Sequence, residues 1–190
     1  RGQATNDAGV WKLPNGAAFY AQMVRQNTTT DMTPDQIHQI GLNEVARIEA
    51  QMKAILDAQK APGGTLGARI DAISARPDQQ FSNDDKGREA ILAEYNRILG
   101  EMKTTYVPRY FSVTPPQALE VKRVPSFQEG GAAGAYYQQP AMDGSRPGVF
   151  YANLKDVTAT PRFGMKTLAY HEGIPGHHFQ IAIQQELQGV

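Results

Sequence analysis

Pro175 and Gly176 stand inside a segment that otherwise favours helix, with TLAYHE before them and HHFQIAIQQEL after. A proline within a helix removes an amide donor and clashes with the preceding turn, and glycine reaches backbone angles that other residues avoid. No straight helix can therefore run through YHEGIPGHHFQ, Tyr170 to Gln180. Three of the chain's four histidines, His171, His177 and His178, fall in this stretch, and Glu172 follows the first. Residues six or seven apart in a straight helix are separated by about 9 to 10.5 Å along the axis. Two imidazoles that far apart cannot share one ion at bonds of about 2.0–2.1 Å. A kink over Gly173-Ile174-Pro175-Gly176 removes the obstacle by bringing a later histidine back beside His171.

Neutral imidazole is the commonest protein ligand for zinc, and a catalytic zinc usually keeps three protein ligands and a water. The helical arrangement for this chemistry is H-E-x-x-H, with the glutamate placed to take a proton from the water. His171-Glu172 begins that pattern, but Ile174-Pro175 stands where it would end. Two inserted residues make His177 the second ligand, and three make it His178. His177 is favoured, because Gly176-His177 matches the Gly-His ending of the H-E-x-G-H form; His178 then supports the ligands or faces substrate. The bland alternative is a set of histidines that cap a helix or satisfy buried carbonyls.

Without cysteine, any metal must be held by His, Asp or Glu. Nineteen basic residues balance nineteen acidic ones, so nothing in the charge favours nucleic acid or an anionic membrane as partner. No apolar run is long enough to span a bilayer, and the opening RGQATNDAG lacks the layout of a signal peptide. Both ends look cut, with the last helical pattern lacking a stop signal before Gly189, and the chain is expected to be part of a longer protein.

The remaining patterns predict α+β order, mainly helical. A short helix opens near Asn15, with Phe19 and Met23 on one side. Thr33-Pro34-Asp35-Gln36 carries a capping box with proline at the first helical position, and the helix it opens runs to about Gln59. Gly41, Val45, Ile48, Met52 and Ile55 form its apolar face, read as core packing, while His38 is a surface or packing residue. Leu66 to Ala75 forms one short helix. Ser82-Asn83-Asp84-Asp85 opens a second long helix that buries Ile91, Tyr95, Ile98 and Met102 and is closed by Pro108. ALEVKRVP alternates as a strand, GGAAGAYYQQP and MDGSRPG make a turn-rich link, and GVFYANL is a further strand, so that the two extended pieces are expected to form a hairpin or an edge pair. The whole is expected as one domain or part of one. Residues 1–110 are mainly helical, 111–156 extended, and 160–190 hold the histidine helix beside a small antiparallel sheet.

Several blocks in order, GVWKLPNGAAFY, TTTDMTPDQIHQIGLNEVARIEAQM, AYYQQPAMDGSRPGVFYANL and TLAYHEGIPGHHFQ, give a wider likeness. The chain resembles the DUF885 family of bacterial proteins, grouped with gluzincin-type metallopeptidases. The resemblance implies a zincin-like fold and a zinc site with His171 as ligand, Glu172 as general base, and His177 or His178 as second ligand. It implies a third ligand, a glutamate on a later helix, which this sequence does not reach. Glu186 is a poor substitute, so this stretch alone is expected to hold metal weakly or not at all and to be inactive. The resemblance also implies a peptide substrate lying along a sheet edge. GVFYANL is the expected edge, with Asn153 or exposed amides holding the peptide and Tyr136, Tyr137, Arg146 and Tyr151 lining the cleft or stabilising the oxyanion. Export or a lipid anchor is implied in the same way. The rival readings are a non-catalytic peptide-binding protein of the same fold and a metal hydrolase of a non-peptide amide or ester.

Overall fold

The structure, a computed structural model, describes Asn6 and residues 9–187. Most of the opening segment and the Gly189 stop signal lie outside the described residues. The chain divides into two compact units, residues 1–69 and 70–190.

The first unit carries helix α1, Gly16–Thr28, and helix α2, Pro34–Ala58. The capping box at the start of α2 is present: the Thr33 hydroxyl accepts from Gln36 N at 3.2 Å, and the Thr33 amide donates to Gln36 Oε1 at 2.8 Å. Pairs one turn apart, Glu44 with Arg47 and Glu49 with Lys53, support its outer surface. The apolar stripe of α2 is not core. Val45, Ile48 and Ile55 are exposed, Gly41 also, and Met52 is half-buried. The reason is a missing layer: among the described residues of this unit only Gly16 and Leu56 are buried, so no core exists there for the stripe to face.

Helix α3, Leu66–Ser74, links to the second unit, where the core lies. Helix α4, Asp85–Glu101, starts at Asp84, whose carboxylate accepts from Gly87 N at 2.8 Å. That bond holds the Asp84 carboxyl below the usual range. Ile91, Tyr95, Ile98 and Leu99 form its buried side, with Met102 packed against them. Pro108 does not end this helix. The chain continues through a wide π turn, Met102–Tyr106, in which Val107 N bonds back to Met102 O, and then through α5, Val107–Tyr110. The wide turn puts Pro108 in the first turn of α5, where its missing amide hydrogen leaves no bond unmade.

Strands β1, Leu119–Arg123, β2, Ala135–Gln138, and β3, Gly148–Ala152, form a mixed sheet in the order β1-β3-β2. The expected wholly antiparallel arrangement is corrected: β1 runs parallel to β3, and only β2 pairs antiparallel with it. The turn-rich MDGSRPG closes a hairpin with the strand just before it, AYYQ, hidden in sequence behind small residues. ALEVKR must then take the other side of β3. As the middle strand, β3 is buried at Gly148, Val149, Phe150 and Ala152, which explains its continuous rather than alternating apolar run. Helices α4 and α6, Arg162–Glu172, pack on the sheet. Tyr95 meets Phe150 edge-on with centroids 4.9 Å apart, and burial pushes its phenol up to about 12. Arg123 and the buried Glu129 close the loop after β1, Nε to Oε1 at 2.7 Å.

Candidate metal centre

Helix α6 ends at Glu172 and α7, His177–Glu186, begins after four intervening residues. The joint is closed by backbone bonds: Gly173 N to Ala169 O at 2.9 Å, Gly176 N to Tyr170 O at 2.9 Å, and His178 N to Gly173 O at 3.2 Å. The Ile174–Pro175 peptide is cis. Gly176 sits so close to the end of α6 that a Cβ would lie 2.0 Å from His171 O and 2.3 Å from Tyr170 O. Only a residue without a side chain permits this fold-back.

The joint sets His177 against His171, rings edge to face with centroids 4.7 Å apart. Glu172, buried, brings Oε2 to 3.9 Å from His177 Nε2. One ligand atom from each of His171, Glu172 and His177 lies within 4.8 Å of the others. Two imidazoles and a carboxylate are donor types that zinc accepts. Glu172 and His177 line a cleft of about 360 Å³ together with Ala135, Tyr136, Tyr137 and Ile181.

His178 is placed differently. It is 2% exposed, and both ring nitrogens are taken: Nδ1 lies 2.9 Å from the Tyr137 hydroxyl and Nε2 3.1 Å from Gln117 O. Burial lowers its pKa, partly offset by the Gln117 carbonyl, while Lys103 lowers it further. The geometry thus groups His177, and not His178, with His171. Glu186 is elsewhere, its carboxylate accepting from Gln117 Nε2 at 2.6 Å.

The expected cleft residues divide. Tyr137 borders the cleft, its phenol pushed up to about 12 by burial against a smaller opposing pull from Arg146. Arg146 is half-buried in the β2–β3 link and donates to Pro147 O at 3.3 Å. Tyr136 also lines the cleft, but its ring stacks on Tyr151 across the strands, centroids 5.0 Å apart. Period two puts this pair on the sheet face opposite Phe150 and Tyr137. The Asn153 side chain is engaged within the chain. Its amide nitrogen donates to Glu129 O at 2.9 Å and Ala132 O at 3.2 Å, and its oxygen accepts from Lys155 N, so the side chain anchors the preceding loop.

The expected sheet edge is corrected as well, because GVFYANL carries the middle strand. The edge at the cleft is β2. Asn153 N donates to Gly134 O and Val124 N to Ala152 O, both at 2.9 Å. Antiparallel alternation then turns the backbone groups of Tyr136 and Gln138 toward β3 and those of Ala135 and Tyr137 toward the open side. The one signal for this strand was the AYYQ run directly before a turn. Gln117 and Gly148 gave none, since a carbonyl and a gap take part whatever the residue type suggests.

The chain's relatives agree with this architecture. A crystal structure described as "the putative lipoprotein from Colwellia psychrerythraea" is 42% identical and matches with a TM-score of 0.84 over 96% of this chain. The present chain spans 31% of the length of that one. No curated protein matches. The family model described as "Bacterial protein of unknown function (DUF885)" matches residues 1–190, and the chain belongs to that family.

Proposed function

We infer that this chain carries part of a zinc-dependent peptidase site, with His171 and His177 as metal ligands and Glu172 as general base. The observation that carries the reading is the fold-back at Gly176, which assembles two imidazoles and a carboxylate within 4.8 Å from residues that a straight helix would hold apart. Zinc bound there would supply a water of lowered pKa and polarise a carbonyl. Glu172, buried beside His177 and open to the cleft, is suited to accept that water's proton and pass it to the departing amine. The outward amides and carbonyls of Ala135 and Tyr137 would align an extended peptide as an added strand above Glu172 and His177. A third protein ligand, expected from resemblance to be a glutamate beyond residue 190, would complete the site. The lipoprotein description of the related structure supports export or a lipid anchor for the whole protein. Among the described residues no helix is long and apolar enough to cross a membrane.

The test is the zinc content and peptide turnover of the full-length protein. Zinc near one equivalent with hydrolysis supports the reading. Metal-free, inert protein that still binds peptides overturns it in favour of a non-catalytic binding role, and turnover confined to non-peptide amides or esters overturns the substrate class.

A further inference from the structure

We propose that Tyr137 and His178 form a clamp that fixes the ring of His177, which, resting on the metal reading above, makes both of them positioning residues for a ligand. His177 needs such support. Its side chain is 40% exposed, and among the described residues no hydrogen bond within 3.5 Å anchors its ring; Glu172 at 3.9 Å and the edge-to-face His171 are its polar neighbours. An imidazole held only this way can rotate about its side-chain bonds.

The ring of Tyr137 lies alongside it, 24° from parallel with centroids 6.3 Å apart, in the range of offset stacking. Tyr137 is itself held at both ends. Its backbone belongs to β2, paired with Phe150 of β3. Its hydroxyl meets His178 Nδ1 at 2.9 Å, and the two rings are edge to face at 5.8 Å. The other end of His178 fixes the proton positions. Gln117 O can only accept, so His178 Nε2 carries the hydrogen, and in the neutral ring Nδ1 is the acceptor. The Tyr137 hydroxyl is therefore the donor. Its hydrogen is committed to His178, which makes Tyr137 a strut in this arrangement rather than an oxyanion donor.

Gly148 completes the device. A Cβ there would lie 2.6 Å from the Tyr137 hydroxyl oxygen and 2.7 Å from His178 Nδ1, so the bond forms in space that a side chain would fill. Three segments distant in sequence thus converge to lock one ring beside His177: the Gln117 carbonyl, the β2–β3 hairpin and α7.

The experiment uses the full-length protein and its Tyr137→Ala, Tyr137→Phe, His178→Ala, His178→Gln and Gly148→Ala variants. Two readouts are taken: zinc affinity by competition with a chromophoric chelator, and imidazole ¹⁵N and ¹H resonances of the metal-free protein. Tyr137→Ala and His178→Ala are expected to weaken zinc by about 10–100-fold and to shift the His177 resonances. His178→Gln, whose amide can accept from the phenol and donate to Gln117 O, should restore most of both. Wild-type zinc affinity and unmoved His177 resonances in the alanine variants would overturn the clamp. So would a loss of thermal stability with zinc affinity unchanged. Should either alanine variant fail to fold, Tyr137→Phe, which keeps the ring and removes only the bond, gives the same two readings. If the wild type takes up no zinc, the metal reading fails, while the metal-free resonances still decide the clamp.

Discussion

Replacing Gly176 by alanine tests whether the fold-back builds the site. The added Cβ would stand 2.0 Å from His171 O and 2.3 Å from Tyr170 O, about 1 Å inside the closest approach that Cβ atoms tolerate. Both obstacles are backbone carbonyls at the end of α6, so no rotamer change relieves them. The Gly176 N–Tyr170 O bond at 2.9 Å must lengthen as the joint opens. Overpacking of this kind costs about 1–3 kcal/mol. The effect on the site is larger in proportion, because an opening of about 1 Å carries His177 outward when metal geometry tolerates about ±0.2 Å. Zinc affinity of the full-length protein should fall at least about 100-fold, more than a supporting residue would cause. Gly164→Ala is the control: it lies in α6 with open space around its Cβ position and should be neutral or stabilising by about 0.5–1 kcal/mol. Urea unfolding and chelator competition on both variants give the answer. A Gly176→Ala protein with wild-type stability and zinc affinity would refute the reasoning.

Three further outcomes are expected. Glu172→Gln in the full-length protein should abolish peptide hydrolysis with zinc still bound, measured by turnover and metal content; full activity removes the general-base role. Glu129→Gln should destabilise by about 1.5–3 kcal/mol near neutral pH, since it leaves Arg123 with a weaker partner in a part-buried pair. Arg123 holds the Glu129 carboxyl below its ordinary value of about 4.5. The pair's stabilisation is therefore full above that pH and is lost as pH falls through the lowered folded value, so unfolding curves of wild type and variant should converge in acid. Phe150→Ala, which empties a fully buried site against Tyr95, should cost about 3–5 kcal/mol, whereas Val45→Ser on the exposed stripe should stay within about 0.5 kcal/mol by thermal unfolding of the full chain if the stripe is uncovered there also.

What the sequence determined by itself was local. Thr33 and Gln36 find each other within one turn, Asp84 reaches an amide three residues on, and Ile91, Tyr95 and Ile98 fall on one face because helix geometry repeats. The need for a break at Pro175-Gly176 was equally local, and from it came the expectation that a later histidine returns to His171. Tertiary structure decided whatever depends on meeting a distant segment. His177 and His178 are chemically alike in sequence; they part only because Tyr137 and the Gln117 carbonyl occupy the second. The place of GVFYA in the sheet turned on where β1 and β2 came to rest, since any strand can pair on either side. The stripe of α2 shows the converse limit. Periodicity states which face is apolar, but burial requires another layer to pack against it, and among the described residues of the first unit that layer is not formed.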